Sequence, residues 1–132
     1  MLAEGDDQND PIVDSARAIL DGHIVLARRI ADGGRYPAID VEASVSRVMH
    51  DVASPEHLAA ARRLRHLSSL YEHNRDLITI GAYQRGSDPR IDEALARYPQ
   101  VDAYLRQDMY ERVGFADSIA QLQQFTAAAP AN

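Results

Sequence analysis

Hydrophobic and polar positions divide this chain near residue 53. Before that point the apolar residues come in short mixed groups, and after it they recur at helical spacing almost to the end. Asp10 followed by Pro11 reads as a helix start, with a capping carboxylate and proline at the first position. Ile12, Val13, Ala16, Ile19 and Leu20 then form one apolar stripe, and Asp21-Gly22 is expected to stop the helix as a glycine just past its end. His23-Ile24-Val25-Leu26-Ala27 has the pattern of a strand buried on both faces of a parallel sheet. Such a strand needs partners. The first 35 residues offer only Met1-Leu2-Ala3 besides, so the chain is expected to be the C-terminal part of a larger protein.

Arg28 to Asp32 reads as one helical turn closed by Gly33-Gly34. Tyr36 to Met49 reads as a proline-fixed turn feeding a short helix-like segment that carries one arginine. Ser54-Pro55-Glu56 is the strongest helix start in the sequence, and Leu58, Ala61, Leu64, Leu67, Leu70, Tyr71, Leu77 and Ile78 mark one face through to about Tyr83. At about 1.5 Å per residue that helix is roughly 40 Å long, which favours a bundle of antiparallel helices. The turn at Gln84 to Pro89 ends in another cap-plus-proline start. Ile91, Leu95 and Tyr98 form the next apolar face, Pro99 is expected to break or kink it, and Val101, Tyr104, Leu105 and Met109 resume it. After Gly114, Phe115, Ile119, Leu122 and Phe125 are expected to face inward, ahead of an Ala/Pro tail.

Composition narrows the chemistry. A hydrophobic content of 45% over 132 residues is enough for a core, and the absence of cysteine excludes disulfides, thiolate metal sites and a cysteine nucleophile. All 14 cationic residues are arginines, so a P-loop lysine, a Schiff-base lysine and a lysine general base are excluded within this chain. The net charge of −6 weighs against nucleic acid as a partner. No apolar run approaches the ~20 residues that span a bilayer, and the acidic start is unlike a signal peptide, which reads as cytoplasmic.

Few residues are candidates for chemistry. Tyr36, on its proline-fixed turn, either covers a sheet edge or presents a ring for stacking on a base. Arg47 either makes an ion pair with Asp40, Glu42 or Asp51 or offers its planar fork to phosphate oxygens. Asp6 and Asp7 are either solvated or Mg²⁺ ligands. The five histidines lack metal-binding spacing, and Arg62, Arg63, Arg65 and Arg75 with His66 and His73 form a basic face on the long helix.

The runs Gly5 to Pro11, His23 to Arg28 and Tyr36 to Met49 (Tyr-Pro-Ala-Ile-Asp-Val-Glu-Ala-Ser-Val-Ser-Arg-Val-Met) resemble the C-terminal portion of rotary-type ATPases. The likeness is to the flagellar and type III secretion export ATPases, themselves similar to the catalytic and non-catalytic subunits of F-type ATP synthase. It continues through Tyr71 to Ile78 and Gly81 to Pro89.

The resemblance implies a mostly α chain in which residues 1–52 form the C-terminal edge of a RecA-like α/β core, with one or two short strands, and residues 53–132 a helical bundle domain. It implies that Tyr36 stacks on adenine and that Arg47 reaches the neighbouring subunit's γ-phosphate as an arginine finger. Phe115 would close the adenine pocket, although Phe115-Ala116-Asp117 departs from the relatives' aromatic-Thr-Gly. ATP and Mg²⁺ belong to the parent enzyme, whose phosphate loop, catalytic carboxylate and magnesium ligands precede this chain, so the chain alone is expected to be inactive.

Implied partners are neighbouring subunits of a homohexamer, a central stalk protein, a stator or regulator protein and export chaperone–substrate complexes. No nucleic acid is implied, and membrane association would be peripheral, through the inner-membrane export apparatus. The rival reading is a free-standing helical protein-binding module using the basic face of the long helix.

Overall fold

The computed structural model describes residues 9–127. In that span the order is α1 (Pro11–Ile19), β1 (Gly22–Leu26), α2 (Arg28–Asp32), β2 (Ile39–Ser46), α3 (Met49–Val52), α4 (Pro55–Thr79), α5 (Pro89–Leu105), α6 (Phe115–Gln123) and a 3-10 turn at Gln124–Thr126. Among the described residues the chain is mostly α, with one two-stranded sheet ahead of a helical unit. The Met1-Leu2-Ala3 segment, Asp6, Asp7 and the tail from residue 128 lie outside the described residues. Among those described, no helix is long and apolar enough to cross a membrane.

Three helices start as their sequences require. Asp10 accepts from the Ile12 amide, Ser54 from His57 and Asp88 from Arg90, each just ahead of a proline. The side-chain oxygen satisfies one free amide of the first turn and the proline removes another. α4 ends at Thr79, short of Tyr83, because Gly81 takes a positive φ of 73° and the amides of Ala82 and Tyr83 both turn back to the Leu77 carbonyl. Pro99 does not break α5, which runs through it to Leu105. Met109 is not on a helix; it is exposed in the connection to α6.

The larger differences fall in the first third. The stretch expected to feed a helix-like segment is strand β2, and β1 pairs with it antiparallel rather than in a parallel sheet. β1 is not buried on both faces: Ile24 is 73% and Leu26 60% exposed. Gly22 is not the residue past a helix end but the first residue of β1, where an added Cβ would lie 2.6 Å from the Val45 carbonyl oxygen. Close strand approach therefore demands this glycine.

The pairs His23 with Val45 and Val25 with Asp40 bracket an excursion in which β1 advances two residues and β2 five. One carboxylate organises it. Asp40 Oδ1 accepts from the amides of Glu42 and Ala43, while the Ser44 hydroxyl donates to the Asp40 carbonyl (2.6 Å) and accepts from the Val25 amide (2.9 Å).

The core lies in the helical unit. Ala60, Leu64 and Leu67 of α4 pack with Ala94 and Val101 of α5, Leu122 of α6 and Phe125. Tyr104 meets Phe125 edge to face and donates to the Ser118 carbonyl. Arg97 is buried among them, with Nη1 on the Phe125 carbonyl and Nη2 on that of Ala127, both 2.9 Å, so a cation terminates the chain's last turn.

Candidate functional site

The two leading candidates sit at opposite ends of β2. Tyr36 precedes the strand and Arg47 follows it, separated by about 15 Å of paired strand if β1's five residues each rise ~3.3 Å. A single strand therefore keeps them apart. The Tyr36-Pro37 bond is cis, and Tyr36 is 59% exposed.

Arg47 is exposed, but it is held. Its amide donates to the Asp21 carbonyl (2.7 Å), and its guanidinium donates to the carbonyls of Ala18 (3.2 Å) and Arg17 (3.0 Å) at the end of α1. The last carbonyls of a helix carry partial negative charge and no helical partner, so a cation placed there is favoured. These two bonds occupy a minority of the guanidinium's donors. Asp40, one of the acids considered for it, is instead paired with Arg29 at 2.5 Å.

At the neighbouring Arg35 lies a polar cleft of about 260 Å³ lined by Arg29, Arg35, Glu72, Arg75, Asp102 and Arg106, with Tyr71 and Tyr98 stacked in its wall at 3.5 Å between ring centroids. Arg35 is the buried member: Nη1 reaches the Tyr98 hydroxyl (3.4 Å) and the Asp102 carboxylate (3.7 Å), while Nε has no hydrogen-bond partner. Burial, helped by the nearby Glu72 carboxylate, pushes the Tyr98 hydroxyl up to about 12.

The cleft's outer rim ties the Tyr36 turn to the end of α5. Arg106 Nη1 donates to the Gly34 carbonyl (2.6 Å), its Nη2 to Asp102 (2.9 Å), and the Gln107 amide donates to the Tyr36 carbonyl (2.9 Å).

Phe115 does not face inward. It is 77% exposed at the first position of α6, with the His57 ring in a T-shaped contact at 6.4 Å between ring centroids. The basic face of α4 is largely engaged within the chain: Arg63 pairs with Glu93, Arg75 with Glu72, and Arg65 donates to the Glu42 carbonyl. Arg63 holds the Glu93 carboxyl below its usual range. Among the described residues no group of three or more His, Cys, Asp or Glu is gathered that would hold a metal ion.

Arg35, Asp102, Arg106 and Gln107 are not singled out by composition or motif. The one local signal is the four-residue spacing of Asp102 and Arg106, which makes an ion pair along a helix. Arg35 gives none, because its partners lie more than sixty positions away.

Comparisons with known proteins follow this geometry. Residues 53–124 match the family described as the T3SS EscN ATPase C-terminal domain, and residues 1–46 match the nucleotide-binding domain of the ATP synthase alpha/beta family. The flagellum-specific ATP synthase of Salmonella typhimurium is 53% identical over 122 residues, which are 92% of this chain and 27% of that protein. Among solved structures, the assembled ATPase EscN of the enteropathogenic E. coli type III secretion system superposes with a TM-score of 0.91 at 40% identity, covering 96% of this chain and 31% of that one. EscN in complex with its central stalk EscO gives 0.82 at 39% identity, over 89% and 29%. The chain thus spans about a quarter to a third of the length of these proteins.

Proposed function

The chain belongs to the family of the type III secretion ATPase C-terminal domain, and from that premise we propose that it works as part of a hexameric ATPase powering flagellar or type III protein export. In this reading residues 1–52 finish the nucleotide-binding core, and residues 53–132 form the helical domain that meets the central stalk, a stator or regulator protein and chaperone–substrate complexes. The ATPase would act in the cytoplasm, peripheral to the inner membrane at the export apparatus. EscN has been solved as an assembly and with its stalk EscO, which supports the homohexamer and the stalk contact.

The observation that carries the reading is the placement of an exposed ring and an exposed, anchored guanidinium at opposite ends of β2. Tyr36 stacks on the adenine of its own subunit's ATP, with Phe115 as a second wall. Arg47 serves the neighbouring subunit. Its bonds to the end of α1 fix the guanidinium before any phosphate arrives, so little ordering remains for the moment of reaction, when its free donors meet charge developing on the γ-phosphoryl oxygens. Mg²⁺ would supply charge neutralisation from ligands in the preceding core.

Arg47→Ala in the full-length ATPase tests this. Turnover is expected to fall by about 10³-fold or more with ATP affinity largely kept, because an arginine finger acts on the transition state. Wild-type turnover in that variant overturns the assignment. For Tyr36→Ala the expected loss is in nucleotide affinity.

A further inference from the structure

The residues just before β2 are held in an unusual way. Gly34, Arg35 and Tyr36 are each bound by the C-terminal end of α5 and the residues after it: the Gly34 carbonyl by Arg106, the Arg35 guanidinium by Tyr98 and Asp102, and the Tyr36 carbonyl by the Gln107 amide. Asp102 connects these contacts, since it faces Arg35 at 3.7 Å and Arg106 at 2.9 Å. The partners lie over sixty positions downstream, in the helical unit rather than in the segment that contains Tyr36.

We propose that the end of α5 is the positioning element for the Tyr36 ring, with Asp102 and Arg106 as positioning residues, so that the helical domain sets the affinity of the adenine site. This rests on the reading of Tyr36 as the adenine-stacking residue. Three features argue for it over simple packing. All the contacts fall on backbone carbonyls or on the neighbouring Arg35, and they leave Tyr36 59% exposed. Arg35 is buried with its Nε unpaired, a cost that docking for stability alone would avoid by using an apolar side chain. Finally, Gly34 takes a positive φ of 81°, so the turn is bent into a conformation that other residues resist just where Arg106 engages it.

Coupling of this kind is reciprocal. Whatever shifts the end of α5 changes nucleotide affinity, and bound nucleotide in turn stiffens the attachment of α5.

The experiment is a double-mutant cycle in the full-length ATPase, reading KM for ATP, kcat and the Kd of a fluorescent ATP analogue. Arg106→Ala is expected to raise Kd and KM about five- to tenfold, the weight of one ordinary hydrogen bond, because the Arg106 side chain is half exposed, with a smaller change in kcat. Arg106→Lys should recover part of the loss. The Arg106→Ala/Tyr36→Ala double variant should bind nucleotide no more weakly than Tyr36→Ala alone, because both changes remove the same ring from its place.

Unchanged affinity in Arg106→Ala, or fully additive losses in the double variant, overturns the proposal while Tyr36→Ala still supports the stacking role. Normal affinity in Tyr36→Ala overturns the stacking role and this proposal with it. Should Arg106→Ala fail to fold, Asp102→Asn carries the same cycle, since it keeps the side-chain shape and removes only the charge that both arginines face.

Discussion

Residues 9–53 and residues 54–127 solve folding in opposite ways. The second region builds a core from its own helices, with Ala60, Ala94 and Val101 fully enclosed and Leu67 nearly so. The first has only Val13, Ile30 and the charged Arg35 buried, and leaves Ile12, Ile19, Ile24 and Leu26 in the open. Between the two, the apolar side of the hairpin faces α4 and α6 across a cleft of about 300 Å³ lined by Ile24, Ile39, Val41, Leu64 and Leu122. The helical region is ordered by hydrophobic burial. The hairpin region is ordered by polar contacts: Asp40 inside its excursion, Arg47 on the end of α1, and the α5 residues on the Tyr36 turn.

The contrast is broken most directly by truncation at equivalent apolar positions. Leu67→Ala in this chain should cost about 2–5 kcal/mol, measured by urea unfolding, because it opens a cavity in an enclosed site. Ile24→Ala should cost within about 0.5 kcal/mol, as an exposed change does. A comparable loss at both positions would mean that the cleft is closed in solution.

Arg97→Ala sits one step lower, at about 1–3 kcal/mol, since it strands the carbonyls of Phe125 and Ala127. Hydrogen exchange should rise in α6 and the 3-10 turn, and uniform exchange across the hairpin as well would erase the distinction between the regions.

A further effect is one of pH. Tyr98 lies at the joint of the two regions, and its hydroxyl is pushed from 10.0 up to about 12. The folded state therefore holds this proton more tightly than the unfolded chain does. That contribution to stability is whole below pH 10 and is lost as pH rises through about 12. A titration followed by circular dichroism should show the decline, and Tyr98→Phe should flatten it.

The sequence was legible where the determinants are local. Ser54-Pro55 and Asp88-Pro89 announce their helices because a cap acts within four residues. The stretch after Tyr36 is a strand rather than helix-like: Ile39, Val41 and Val45 suit strand alternation, and only pairing with β1, which lies outside the stretch, decides it. Pro99 is expected from the sequence to break or kink its helix, and it does not break it. Packing of Ala94, Arg97 and Val101 on both sides of it holds α5 together instead.

At the site, the motifs led to Tyr36, Arg47 and Phe115, and the structure leaves all three exposed. What holds them was hidden, because Arg17 and Ala18 for Arg47, and Arg106 and Gln107 for the Tyr36 turn, meet them only through the fold.

The two-stranded sheet has one more consequence. Among the described residues both strands are edges, and each presents an outer row of backbone donors and acceptors to any strand that comes alongside. β1 adds Ile24 and Leu26, both well exposed. This polypeptide thus carries a template for strand addition beside a helical half that is well packed, so strand addition and resistance to unfolding would draw on separate residues, β1 for the first and α4 and α5 for the second.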